Sequence, residues 1–207
     1  MPPNDLRVGA PAVVFVDANV LYSRMIRDWL FLLKLESGRD LFAVHTSEDV
    51  IAEMLYRLRR NNPQAPGELV SRIHDRIVDN IDERVTAYRI DGSFPGQDRD
   101  DQHVDAAAKA DRADYLLTDD RGFFAAYSRY ADPPGYQPCS PDEFFGMVHH
   151  AAPEVTRATV ARMVSYWENQ GQSPNSETRL ESAGCPALSK IVARIVHPQA
   201  IRPLGSS

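Results

Sequence analysis

The sequence places acidic residues where a parallel α/β fold would bring them together. Asp17 ends the run VVFVD, and Asp119 and Asp120 follow the run YLLT, so these acids should emerge where buried strands end. Asp101 begins the helical segment DQHVDAAAKA, and Glu53 lies in the second turn of the helix predicted after LFAV. Because strand carboxyl ends and helix starts share one edge of a parallel sheet, we expect these acids to gather there.

An acidic cluster of this kind predicts a divalent cation site. Carboxylates that share a site repel one another, and burying unpaired charge is costly. Oxygen ligands without histidine or cysteine at zinc-like spacing favour Mg²⁺ or Mn²⁺. Such an ion polarises a phosphodiester and lowers the pKa of a bound water. Phosphodiester hydrolysis is therefore the reaction that these residues predict.

Each acid also has a purely structural explanation. Asp17 could begin a turn, with Asn19 capping the helix behind it. Glu53 could be a surface partner of Arg57, four residues later on the same helix face. In the TDD sequence at 118–120, either aspartate could be the ligand while the other is an exposed turn residue.

The same ambiguity holds for the acidic run GQDRDDQHVD. Asp98 or Asp100 could cap the following helix, and Asp101 could simply favour its positive end. Helical spacing puts Asp101 and Asp105 on one stripe facing the sheet, which suggests a supporting role for Asp105. His103 is expected to be a solvated or hydrogen-bonded histidine.

Alternating strand and helix patterns surround these residues. Strands are predicted at Ala12 to Val16, Leu41 to Val44, Val85 to Ile90, Tyr115 to Thr118 and, more weakly, Tyr136 to Cys139. Helices are predicted at 20–36, 47–61, 67–80, 101–111, 121–129 and 141–150. This alternation predicts an α/β/α sandwich over residues 10–150, with a mostly parallel sheet of four to five strands.

Residues 151–207 are predicted to form a helical C-terminal extension. Helices are expected at roughly 154–170 and 178–196, separated by the polar segment NQGQSPN. The chain carries a net charge of −6, but this extension has six basic and four acidic residues. The acidity therefore belongs to residues 1–150. The extension could contact RNA or a protein partner, but packing of Tyr166 and Trp167 within a helical pair is the favoured explanation of those aromatics.

Length and composition limit the protein class. A chain of 207 residues fits one domain plus an extension. We expect a soluble, cytoplasmic protein, because the sequence has no apolar run of membrane-spanning length and no signal-peptide pattern at its N-terminus. The two cysteines, Cys139 and Cys185, lie far apart and outside any CxxC spacing, which argues against a zinc site or a disulfide framework.

Four segments together resemble the PIN-domain nucleases, especially the VapC-type toxins of bacterial toxin–antitoxin systems. They are VVFVDANVLYS at 13–23, SEDVIAEMLYRLRR at 47–60, DRDDQHVDAAAKADRADYLLTDD at 98–120 and CSPDEFF at 139–145. The resemblance implies a PIN-like α/β/α fold and a Mg²⁺- or Mn²⁺-dependent endoribonuclease. It further implies a homodimer that is restrained by a cognate antitoxin protein.

The resemblance also assigns roles by position. It implies catalytic roles for four acids, three of which, Asp17, Asp101 and Asp120, would be metal ligands, while Glu53 completes the set. Asn19 and Thr118 resemble the polar residues that orient those carboxylates. Many relatives carry a further acid where this chain has Gly122, which leaves Asp119 as the compensating charge or as an alternative ligand to Asp120.

Two other functions fit part of the pattern. A haloacid-dehalogenase-like phosphatase also uses an aspartate after its first strand, but that family needs a second acid where this chain has Asn19. A PIN module that has lost activity and only binds RNA or an antitoxin is the non-enzymatic alternative. The complete set of four acids argues against it.

Overall fold

A parallel β-sheet forms the centre of the protein in a computed structural model that describes residues 10–169 and 176–197. Its five strands have the order β3-β2-β1-β4-β5, and each neighbouring pair is parallel. The strands are β1 (Ala12–Val16), β2 (Phe42–Ser47), β3 (Glu83–Val85), β4 (Tyr115–Leu117) and β5 (Gln137–Cys139). The helices are α1 (Ala18–Tyr22), α2 (Arg24–Glu36), α3 (Glu48–Asn61), α4 (Gly67–Val78), α5 (Asp101–Asp111), α6 (Arg121–Tyr127), α7 (Pro141–Ala151), α8 (Pro153–Asn169), α9 (Ser176–Ser182) and α10 (Pro186–Val196).

The strand order confirms the predicted fold class. The chain starts in the middle of the sheet, moves outward through β2 and β3, and then continues on the other side through β4 and β5. Because crossovers between parallel strands are right-handed, the helices of the two halves cover opposite faces. The fully buried residues of β1 and β4 read as continuous apolar runs, as expected for strands covered on both faces.

The third strand is shorter than predicted and begins earlier. We expected Val85 to Ile90, but β3 spans Glu83–Val85 and the segment that follows Val85 is irregular. Ser47 pairs with Val85, and the chain turns into α3 directly after Ser47. Beyond Val85 the neighbouring strand therefore offers no backbone partner, and strand propensity alone does not extend the ladder.

Two predicted helices are each divided in the structure. The segment 20–36 is broken at Ser23, whose extended backbone separates α1 from α2. The segment 178–196 is broken at Gly184, which has a φ of +81°, and Pro186 then starts α10. A left-handed glycine followed by a proline ends one helix and begins another, as both residue types favour. The predicted connection at 170–175 lies outside the described residues.

The C-terminal helices complete the same hydrophobic core as the sheet. Val160 and Met163 of α8 and Leu188 and Val192 of α10 are buried in the cluster that contains the strand side chains. Asp142, near the start of α7, accepts hydrogen bonds from the backbone N–H groups of residues 187 and 188 at 2.9 Å, so it caps α10 from another helix. Among the described helices, none is long and apolar enough to cross a membrane.

Replacement of Asp142 by alanine should destabilise the protein, because it leaves two N–H groups at the start of α10 without their acceptor. Loss of a helix cap costs about 1 kcal/mol, which corresponds to a fall in Tm of about 2–4 °C for a chain of this size. Asp142→Asn keeps one of the two acceptor oxygens and should therefore lower the Tm by less than Asp142→Ala. Thermal unfolding followed by circular dichroism measures both, and equal Tm values for wild type and Asp142→Ala would contradict the capping role.

Candidate functional site

The side chain of Thr118 connects three elements at the carboxyl edge of the sheet. Its fully buried hydroxyl donates to Asp17 Oδ2 at 2.7 Å. The same oxygen accepts from Asn19 Nδ2 and from the backbone N–H of Asp120, both at 3.1 Å. The first and fourth strands and the start of α6 are thereby held to one atom.

Asp17 is buried at the junction of β1 and α1. Its backbone N–H donates to Leu117 O on the neighbouring strand, and its Oδ1 accepts from the backbone N–H of Ala18 at 2.6 Å. Asp17 is thus the N-cap of α1, whereas Asn19, the other capping candidate, donates to Thr118 instead. The pKa of Asp17 is raised to about 6, because desolvation outweighs the lowering effect of the hydrogen bonds from Thr118 and Ala18.

Asp120 begins α6 and is half-buried, while its neighbour Asp119 is exposed. Asp120 Oδ1 accepts from the backbone N–H groups of Gly122 at 2.6 Å and Phe123 at 3.3 Å. A Cβ atom at position 122 would lie 3.0 Å from Asp120 Oδ1, closer than side chains normally pack. The glycine therefore leaves room for this cap, and both capping bonds use only one of the two Asp120 oxygens.

Asp101 is the first residue of α5 and belongs electrostatically to the same site. Its pKa is raised to about 7, chiefly by desolvation and then by the charges of Asp120, Asp98, Asp17 and Glu53, in that order. Asp100, at the N-cap position, forms no side-chain capping bond, and Asp98 accepts from the N–H of Asp100 before the helix begins. The structure thus brings Asp101 near the carboxylates that follow β1 and β4.

Glu53 reaches this edge from α3 and is held by basic groups. Arg57 Nη2 lies 2.5 Å from its Oε1, which is the ion pair that the i+4 spacing predicts. His103 Nε2 lies 3.6 Å from the other carboxylate oxygen and is buried without a hydrogen-bond partner in the described structure. The charge of Glu53 nevertheless raises the pKa of Asp17, where desolvation is the main cause, and Arg57 opposes it. Arg57 and His103 are therefore site residues that sequence patterns had suggested only as structural partners.

Asp105 lies in a separate polar cluster. Its buried carboxylate accepts from Tyr136 Oη at 2.5 Å and Tyr130 Oη at 2.7 Å, and it pairs with Lys109 Nζ at 2.8 Å. Lys109 also donates to Ser93 Oγ, which ties the irregular segment before α5 to this cluster. These contacts connect Asp105 to the irregular segment before α5. No interaction among the described residues joins Asp105 to the acids at the sheet edge.

We call the four acids Asp17, Glu53, Asp101 and Asp120 the acidic rim. The acidic rim has the donor chemistry of a Mg²⁺ or Mn²⁺ site. It offers carboxylates from four elements, and Asn19 Oδ1 is a buried carbonyl oxygen without a hydrogen-bond partner among the described residues. Within residues 10–169 and 176–197, no three His, Cys, Asp or Glu side chains are close enough to enclose a metal ion by themselves. Mg²⁺ usually keeps several waters and binds through one or two carboxylates plus a substrate phosphate, so an open rim is compatible with it.

The raised pKa values predict a pH dependence of stability in the metal-free protein. Asp17 and Asp101 hold their protons up to about pH 6 and 7 when folded, but release them near their ordinary pKa of 3.8 when unfolded. Between pH 3.8 and these raised pKa values, the folded state therefore binds more protons than the unfolded state. The stabilisation that these two groups contribute is complete below their unfolded pKa and is lost as the pH rises through their folded pKa. In EDTA, the Tm of the wild type should fall between about pH 5 and pH 8. The fall should be smaller in Asp101→Asn, which lacks one of the two titrating groups. Identical slopes for the two proteins would contradict the electrostatic coupling.

Comparison with known proteins finds a family model that covers the residues of the acidic rim. The sequence model of the PIN domain family matches residues 13–122, which include β1, α5 and the acids after β4. No curated protein and no solved structure matches the chain. The matched region covers more than half of the chain and contains Asp17, Glu53, Asp101 and Asp120. The chain belongs to the PIN domain family.

Proposed function

We propose that the protein is a metal-dependent endoribonuclease that hydrolyses RNA phosphodiester bonds. PIN domains are generally metal-dependent nucleases, which supports the reaction class. The observation that carries the proposal is the coupling of Asp17, Asp101 and Asp120 at one sheet edge, where the Asp120 and Asp17 charges both raise the pKa of Asp101 beyond the effect of desolvation. Carboxylates that destabilise one another in this way favour a cation among them.

The proposed roles follow from the positions of the side chains. Asp17, Asp101 and Asp120 would hold Mg²⁺ or Mn²⁺, with Asp119 as the exposed compensating charge. The cation would supply Lewis acidity and lower the pKa of a water molecule. Glu53, restrained by Arg57, would orient the attacking water. Thr118 and Asn19 would fix the orientation of Asp17 through the buried hydroxyl that contacts both.

We expect Asp17→Asn to abolish RNA cleavage in the presence of Mg²⁺ or Mn²⁺, because it removes one ligand charge while preserving shape. Thr118→Val keeps every carboxylate but removes the bond that orients Asp17, so activity should fall about 10–100-fold. Asp142→Asn, which lies outside the site, is the control for expression and folding. Full activity of Asp17→Asn, with a wild-type circular dichroism spectrum, would exclude the mechanism.

The reaction products distinguish the proposed nuclease from the phosphatase alternative. Sequencing the ends formed when total cellular RNA is treated with the protein identifies the cleaved RNA and the cleavage position together. Release of inorganic phosphate from a small phosphomonoester, with RNA left intact, would favour a phosphatase. Asp17→Asn measured in parallel shows that the ends arise from this site.

We further propose that the protein is the toxin of a VapBC-type pair and acts in the cytoplasm as a homodimer. The motifs DANVLYS at 17–23, DDQHVDAAA at 100–108 and LLTDD at 116–120, which resemble VapC-type toxins, support this narrower assignment. The antitoxin would be a protein whose tail enters the acidic rim, where a basic side chain would compensate the carboxylates.

Expression of the wild-type protein should therefore arrest bacterial growth, whereas Asp17→Asn should not. Co-expression of the product of the adjacent gene should restore growth, because the antitoxin occupies the site. Growth curves after induction provide the measurement, and light scattering after gel filtration should give twice the chain mass. Normal growth with confirmed RNA cleavage would reject the toxin role and leave the nuclease proposal standing.

A further inference from the structure

An elongated groove runs between α2 and the C-terminal helices α8 and α9. It consists of two adjoining cavities of about 490 and 430 Å³, which share Arg24, Asp28, Met163 and Trp167 as lining residues. The first cavity begins at Ser23 and the second continues along α2 as far as Leu35. A helix of 13 residues is about 20 Å long, so the groove has the length of a short extended ligand.

Arginine side chains form the polar border of this groove. They are Arg24, Arg76, Arg162 and Arg179. Asp28 lies 3.6 Å from Arg24 and 3.9 Å from Arg76, and the two guanidinium side chains are 71% and 61% exposed. Exposed ion pairs of this length contribute little and exchange easily for another anion. Arg24 and Arg76 therefore remain available to phosphate groups, for which the planar guanidinium is well suited.

Two aromatic rings lie among these arginines. Tyr166 is 53% exposed, and its ring contacts Trp167 edge to face with centroids 5.3 Å apart. The Arg179 guanidinium lies 4.5 Å from the centre of the Trp167 ring. Alternating aromatic and guanidinium planes are the surfaces on which unpaired bases stack. Packing of Tyr166 and Trp167 against each other is confirmed, but it leaves half of the Tyr166 surface open.

The helix α1 connects one end of the groove to Asp17 of the acidic rim. Asp17 caps the N-terminus of α1, and Ser23, which caps its C-terminus, lines the groove. Five helical residues span only about 7.5 Å. A nucleic-acid strand that enters the groove at Ser23 is therefore separated from Asp17 by about the length of α1.

We propose that this groove binds the single-stranded RNA that flanks the cleaved phosphodiester. This inference rests on the proposed nuclease function and assigns part of its RNA contact to α2 and the C-terminal helices. Of the four arginines, three pair with Asp28 or Glu36 and Arg179 lies on Trp167, so the surface is basic although the chain has a net charge of −6. An acidic peptide would satisfy the arginines, but it would not use the exposed face of Tyr166 beside the stacked guanidinium of Arg179. The arginine and aromatic surface therefore favours RNA.

The test measures RNA binding separately from cleavage. The Asp17→Asn protein is titrated into an end-labelled single-stranded RNA oligonucleotide, and binding is followed by fluorescence anisotropy. The same titration is made with the wild type in EDTA as a second non-cleaving background. Adding Arg24→Gln and Arg179→Gln should weaken binding at least 10-fold and reduce the salt dependence by roughly 0.7 per lost phosphate contact. The matched control is Arg39→Gln with Arg112→Gln, two exposed arginines that precede β2 and β4 at the opposite edge of the sheet.

Tryptophan fluorescence reports where the RNA binds. The chain has two tryptophans, and Trp29 is fully buried, so RNA in the groove should quench Trp167 and the quenching should disappear in Trp167→Phe. Equal affinities for the two arginine pairs, absence of quenching, or binding of an acidic peptide in place of RNA would each overturn the proposal. If wild type cleaves RNA while the groove variants bind normally, the groove assignment fails alone. If wild type cleaves no RNA, the nuclease proposal fails.

Discussion

The hydroxyl group of Thr118 is the interaction on which the organisation of the site depends. A single buried oxygen donates to Asp17 and accepts from Asn19 and from the backbone of Asp120. Asp17 is placed by β1, and Asp120 is placed by the turn after β4. Because these two strands are neighbours in a parallel sheet, their carboxyl ends meet, and one short side chain can connect both acids.

This arrangement has an electrostatic cost that the protein carries in its folded state. Asp17 is buried, and the pKa of both Asp17 and Asp101 is raised chiefly by desolvation. Hydrogen bonds from Thr118 and Ala18 reduce the cost at Asp17, while Arg57 reduces it from the side of Glu53. The carboxylates of the rim repel one another, while hydrogen bonds fix the direction of Asp17. The proposed cation would relieve this repulsion.

The sequence predicts most of this architecture because its signals are local. Apolar runs followed by acids locate β1 and β4, and the i+4 spacing predicts the Glu53–Arg57 pair. Other features depend on contacts between distant segments. The end of β3 is set by where β2 turns into α3, and the position of Asp105 is set by tyrosines 25 and 31 residues away. The groove along α2 likewise exists only after the C-terminal helices have packed, so no local pattern reveals it.

The shared hydrophobic core links the part of the chain that matches the PIN domain family to its last helices. The four acids of the rim lie between residues 17 and 120, but Leu188 and Val192 of α10 close the core from much later in the sequence. During synthesis the acidic segments leave the ribosome first, while the apolar faces that α8 and α10 will cover are still bare. The complete core therefore closes only after α10 has emerged. The residues of the acidic rim are thus synthesised well before the core beneath them is complete.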